Sequence, residues 1–305
     1  MQKSYLFGTI HAANEVDYQF VNSMPQYHEI MERVDAVGTK FDFSDTKFVN
    51  WYAGRMRVYA RGKYPAYAYL ADSITSYPEI FKDTAEYHYV EKFLREFKKQ
   101  KYVRPFKHEK LKPSFTILLI GVYKELQNMF QTTNDSTTEK PAEMDAGIFT
   151  HAKELGKRMI GLESTEYEIE HTKRSDSCDI VIGDMPTQAH DLYVYCRMEN
   201  GDTVNVAEEF LGEIVKYYKR GDLSGLLSEI QKMKERVRKE HPSKEVFDLE
   251  NDELVLGRNT MWMPTILSNI KQCACLFAVG ALHLPGEEGL INVLRKEGYT
   301  VEPVK

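Results

Sequence analysis

The pattern Gly-x-x-His occurs twice, near opposite ends of the 305-residue chain: Gly8-Thr9-Ile10-His11 and Gly280-Ala281-Leu282-His283. Each copy closes a short apolar run, Ser4-Tyr5-Leu6-Phe7 in the first and Leu276-Phe277-Ala278-Val279 in the second. An imidazole where a buried strand runs out is well placed for chemistry, because α/β proteins bind ligands at strand ends. Two such imidazoles, brought from the two ends of the chain, point to a metal or acid/base site built between two half-domains. Two strand-end histidines that serve packing alone are the structural alternative. Two further polar residues fall at element ends: Glu163, closing the run Arg158-Met159-Ile160-Gly161-Leu162, and Arg258, ahead of an apolar helical stretch. Two histidines and a carboxylate are sufficient ligands for a catalytic divalent ion that keeps a position open for water. An arginine beside them suits a substrate carboxylate or an oxyanion. Taken singly, Glu163 also suits a strand-end salt bridge, and Arg258-Asn259 suits anchoring the helix that follows.

The elements that must position these groups follow from the surrounding pattern. The first motif sits in a unit made of the Ser4–Phe7 strand, a helix around Gln26–Arg33 and a strand near Ala36–Phe43. The second repeats that order, with a Pro285-Gly286 turn, a helix over Glu288–Glu297 stopped by Gly298, and a closing strand over Tyr299–Val304. The repetition reads as a diverged internal duplication. It predicts an α/β fold with a central mixed sheet, flanking helices and pseudo-symmetric halves that each carry a strand–Gly-x-x-His–helix unit. Residues 1–305 are expected to form one domain, with residues 45–135 as a helical cover or insertion within it.

That cover is rich in aromatics: ten of the 19 tyrosines fall between Tyr52 and Tyr123. Such a stripe fits amphipathic packing, and it also offers the large polar-tipped contact surface of a peptide or glycan groove. Lys92–Lys112 reads as a solvated helix face with snorkelling lysines. Residues 132–141 read as a loop or hinge and hold the sequon Asn134-Asp135-Ser136, which matters only on a secretory route. A helix over Asp145–Lys157 feeds the strand ending at Glu163, and Val206–Lys239 is a long amphipathic segment broken near Gly221.

Hydrophobic content of 42%, net charge −6 and a pI near 5.9 fit a soluble globular protein with no general affinity for nucleic acid or anionic membrane. No apolar stretch approaches the roughly 18–20 residues that span a bilayer. The chain enters a strand at once, which fits either a cytosolic protein or, as the favoured expectation, an extracytoplasmic one whose leader is absent. Of the four cysteines, Cys178 and Cys196 are free to pair, whereas Cys273 and Cys275 lie two apart on an apolar run where a mutual bond is awkward. The set reads mainly as buried thiols.

Ser4-Tyr5-Leu6-Phe7-Gly8-Thr9-Ile10-His11, the Gly161-Leu162-Glu163-Ser164 strand end, Arg258-Asn259 and the C-terminal run Val279–Glu287 with Arg295-Lys296-x-Gly298-Tyr299-Thr300-Val301 resemble the TraB/GumN/Tiki family. Asp145-Ala146-Gly147 and Tyr218-Lys219-Arg220-Gly221-Asp222-Leu223 are similar to it as well. The resemblance spans nearly the whole chain, least in residues 45–135, and its C-terminal motif is the most specific part. It implies a compact α/β fold with paired Gly-x-x-His units under a helical cover. For Tiki-like members it implies a divalent-metal-dependent peptidase. Relatives degrade or sequester small peptide signals, and more distant ones resemble erythromycin esterases and haem-binding lipoproteins. Carried over by position, His11, Glu163, Arg258 and His283 form the active-site set, with His11, Glu163 and His283 as metal ligands. The sequence departs at one place. The family closes its second strand with Glu-x-Asp, and here that position reads Lys40-Phe41-Asp42. A lysine there repels a divalent ion or occupies its place.

Three functions follow as expectations. The first is a hydrolase of peptide or amide bonds that uses a metal-activated water, for which manganese, cobalt or zinc suits the mixed nitrogen and oxygen ligands. The second is a metal-independent, esterase-like hydrolase with one histidine as general base. The third is a catalytically silent relative that binds a peptide or small hydrophobic ligand in the tyrosine-rich region. The expected partner is a peptide or protein substrate.

Overall fold

The computed structural model describes residues 3–10, 17–40, 42, 45–70, 76–101, 103–104, 106–132, 144–179, 184–202, 206–240 and 253–304. The chain divides into two compact units: Met1–Thr46 with Pro141–Tyr167 and Ala207–Lys305, and Lys47–Lys140 with Glu168–Val206.

The first unit is built on four strands: β1 (Tyr5–Thr9), β2 (Ala36–Thr39), β3 (Arg158–Gly161) and β4 (Cys275–Gly280). Their order across the sheet is β1-β4-β2-β3, so the last strand in sequence pairs with both β1 and β2. The α/β class matches expectation, but every pairing is parallel, where a mixed sheet was expected. A parallel strand covered on both faces must be apolar at consecutive positions, and Cys275–Val279 is buried throughout. Successive side chains then alternate between two cores. Leu276 and Ala278 join Val37 against Tyr27, Ile30 and Met31 of the Pro25–Arg33 helix and Met144 and Ile148 of the Met144–Glu154 helix. Cys275, Phe277 and Val279 join Ala36 and Ile160 against Trp262, Met263 and Ile266 of the Arg258–Ile270 helix and Leu290 and Leu294 of the Leu290–Lys296 helix.

Two expected boundaries differ. β2 ends at Thr39 with a bend at Lys40, where the strand was expected to reach Phe43; Phe41, Phe43 and Ser44 lie outside the described residues. No strand forms over Tyr299–Val304. Gly298, at φ +89°, reverses the chain so that Tyr299 N returns to Leu294 O, and Arg295 Nη2 donates to the Val301 carbonyl at 2.7 Å. The segment is thus tied to its own helix, and the second half of the duplication lacks a closing strand. The break at Gly221 is present as expected, with φ +66° between the helices Val206–Lys219 and Leu223–Glu240. Residues 133–143, which include the sequon, lie outside the described residues.

The second unit is helical, with Thr84–Phe97, Pro113–Thr132 and Met185–Glu199 around a core that includes Leu94, Phe115, Leu119 and Leu192. Tyr59, Tyr77 and Tyr123 are buried in that core, so these members of the tyrosine stripe serve packing. Among the described residues, no helix is long and apolar enough to cross a membrane.

Candidate functional site

Because the four strands are parallel, their C-terminal ends share one edge of the sheet, and the expected site residues Glu163, Arg258 and His283 each follow one of those ends or pack beside it. Gly8-Thr9-Ile10 leaves β1, Lys40 leaves β2, Leu162-Glu163 leaves β3, and Ala281-Leu282-His283 leaves β4. The register pairs Gly8 with Val279 and Thr9 with Gly280, so the first motif emerges beside the second. His11 itself lies outside the described residues. The glycine of the first motif has a packing reason. A Cβ on Gly8 would sit 3.1 Å from both Ala281 Cα and Leu284 Cδ1, a tight fit that a larger residue meets only if the second motif gives by a few tenths of an ångström. The Gly8 carbonyl accepts from Tyr218 Oη at 2.6 Å.

Glu163 is held at the end of β3 by its backbone N–H, which donates to the Lys40 carbonyl at 2.7 Å. Its carboxylate is fully buried; Oε1 accepts from Trp262 Nε1 at 3.0 Å and forms an ion pair with Arg258, whose Nε lies 3.0 Å away. Arg258 and Trp262 are four residues apart, so one face of the Arg258–Ile270 helix presents both the cation and the indole donor. The next residue, Asn259, serves the second motif. Its Nδ2 donates to the carbonyls of His283, at 3.2 Å, and Glu288, at 2.9 Å. That fixes the amide so that Asn259 Oδ1 faces His283 Nδ1 at 2.9 Å. The tautomer follows from this network: Nδ1 carries the hydrogen and Nε2 keeps its lone pair.

The His283 ring lies 4.3 Å from the Trp262 ring, centroid to centroid. Burial, and then the charges of Arg258 and Lys40, push its pKa down to about 3, so the imidazole is neutral at physiological pH. Glu163 and Arg258 are therefore in direct contact, and Arg258 and Lys40 both act electrostatically on His283. Trp262 and Asn259 were not among the expected site residues. The signal for Trp262 was its spacing of four from Arg258; Asn259 carried none beyond adjacency.

For a divalent ion the donor chemistry fits. A neutral imidazole with its far nitrogen fixed by an outer carbonyl is how proteins present a histidine to a metal, and Glu163 adds a carboxylate from the end of β3, on the same edge of the sheet. Among the described residues no group of three His, Cys, Asp or Glu side chains converges to hold an ion, His11 being outside them.

A family model described as the TraB/PrgY/gumN family matches residues 1–303. The chain belongs to that family. The TraB/PrgY/gumN match includes both Gly-x-x-His motifs, Glu163 and Arg258. No curated protein and no solved structure matches the chain.

Proposed function

We propose that this TraB/PrgY/gumN member is a divalent-metal-dependent hydrolase of peptide or amide bonds, working at the strand-end cluster. The observation that carries the reading is the neutral His283, with Nδ1 committed to Asn259, on the same sheet edge as the buried Glu163 carboxylate. His283, Glu163 and His11 would hold the ion. When bound, manganese, cobalt or zinc supplies a lowered pKa for a water and polarisation of the scissile carbonyl. Asn259 orients the imidazole, and Trp262 and Arg258 orient the carboxylate. The Arg258 guanidinium also adds positive potential at the strand ends, which steadies an oxyanion developing there.

The metal-free alternative fares worse on electrostatics. A general base works best with a pKa near the operating pH, and a ring held near 3 takes up a proton poorly. The silent-relative reading has one specific observation in its favour: Lys40 acts on His283 as a cation, where the family pattern has an acid.

Calorimetric titration of manganese, cobalt and zinc into the chelator-stripped chain tests the proposal, run beside His283→Ala and Lys40→Glu. Tight binding by the parent that is lost in His283→Ala, together with cleaved termini from a peptide library by mass spectrometry, is the expected result. Binding by Lys40→Glu alone would leave the parent as a ligand-binding relative. Turnover that survives a His11→Ala, His283→Ala double substitution would sink the scheme.

A further inference from the structure

At the other end of β4 from the histidine motif, the Sγ atoms of Cys273 and Cys275 lie 3.7 Å apart. Alternate side chains of a regular strand share a face but stand roughly 6.5 Å apart along it. Here β4 begins only at Cys275, and Cys273 sits in the bend that precedes it, which brings the two sulfurs into van der Waals contact. Backbone bonds anchor the tripeptide, and the Cys275 thiol donates to the Cys273 carbonyl at 3.5 Å. Asp35 N donates to the Ala274 carbonyl at 2.8 Å, Ala274 N donates to Asp35 Oδ2 at 3.1 Å, and Cys275 N donates to Ser4 Oγ at 3.0 Å. The two thiols also differ. Cys273 is half-buried, and Arg158 Nη2 donates to its Sγ at 3.1 Å; Cys275 is wholly buried.

We propose that Cys273-Ala274-Cys275 is a thiol–disulfide exchange site that takes an organic disulfide as substrate, with Cys273 as the attacking thiol and Cys275 as the resolving one. Cys273 loses its proton to solvent, and the Arg158 guanidinium stabilises the resulting thiolate. The thiolate attacks one sulfur of a disulfide RS–SR, which forms Cys273–S–SR and releases RS⁻. Cys275 then gives up its proton to a released RS⁻ and attacks Cys273 Sγ, expelling the second RS⁻, which takes a proton from solvent. The net exchange is two protein thiols plus RS–SR to one protein disulfide plus two RSH. Cys273 is the only one of the pair that an outside disulfide can reach. The buried Cys275 needs to reach only Cys273, which it already touches.

The electrostatics support that order. Burial, aided by the hydrogen bond and charge of Cys273, pushes the Cys275 thiol up to about 12, so it stays protonated while Cys273 is reduced. The part of that elevation due to Cys273 disappears once Cys273 is in a mixed disulfide. Closing the bridge requires the sulfurs to shorten from 3.7 Å to about 2.05 Å.

The test uses the full chain, oxidised glutathione as the disulfide, alkylation of remaining thiols and mass mapping of tryptic peptide 272–295. In the parent, Cys273 should alkylate about ten-fold faster than the buried Cys196. Excess oxidised glutathione should protect both cysteines together, with loss of two hydrogens and no retained adduct. Cys275→Ser should trap glutathione on Cys273, and Arg158→Met should slow Cys273 alkylation several-fold. The idea is overturned if, in the parent itself, both cysteines still alkylate after excess oxidised glutathione. It also fails if glutathione stays on Cys273 while Cys275 remains a free thiol. Neither outcome depends on a variant folding.

Discussion

Glu163 and Arg258 form a nearly dry ion pair, with side-chain exposures of 0% and 11%, and a pair of this kind is sensitive to losing one member. Arg258→Met removes the cation from a buried carboxylate that keeps the Trp262 indole as a donor to Oε1, and should cost about 3–5 kcal/mol in chemical denaturation. Adding Glu163→Leu should recover much of that loss, because an apolar replacement of the whole pair is often neutral; a double variant as unstable as the single one would contradict this account. His283 adds a pH dependence. Its folded pKa, about 3, lies below the ordinary 6.5, so between those values the unfolded chain binds the extra proton and stability rises with pH. In chelator-treated protein the contribution is complete above pH 6.5 and is lost as pH falls toward 3, on the order of 2 kcal/mol by pH 5. His283→Asn should flatten that part of the stability profile, and an unchanged slope would show that other groups set it. The strand-end positions of Glu163 and His283 were legible because the apolar runs before them end there. That Glu163 meets Arg258 was not legible, since it depends on how the Arg258–Ile270 helix seats on the sheet, and no local pattern encodes that.

At the level of elements, the decisive contact is between β2 and β4. Gly38 pairs with Phe277, and a Cβ on Gly38 would stand 2.3 Å from Phe277 Cδ1, inside the ring's own space. Gly38→Ala should therefore destabilise by about 1–3 kcal/mol, read as a lower Tm, and Phe277→Leu in the same chain should relieve part of it. If the paired changes are additive, the ring is not what Gly38 accommodates. β4 was plain in the sequence as an uninterrupted apolar run. The closing strand over Tyr299–Val304 looked equally strand-like, yet Tyr299 and Val301 pack against the core from a segment tied back to Arg295. Apolar spacing reports which side chains are buried, and it cannot say whether the backbone has a partner strand.

For the whole molecule, two compact units with separate cores predict uneven protection of backbone amides. The amides of Phe277–Val279, in an inner strand covered on both faces, should exchange only on global opening of the first unit, and those of the edge strand β3 sooner. Hydrogen-exchange mass spectrometry reads this directly, and equal rates for β3 and β4 would count against the strand order. That order also bears on how the chain is made. The strand that sits between β1 and β2 spans residues 275–280, whereas β2 is complete at residue 39. At about 5–20 residues per second, a ribosome needs roughly ten to fifty seconds to pass from one to the other. Throughout that interval the nascent chain holds two apolar strands whose shared neighbour does not yet exist. The site-bearing sheet is therefore a post-synthetic assembly, and its demand on chaperones should exceed that of the helical unit, whose residues have all been synthesised by then.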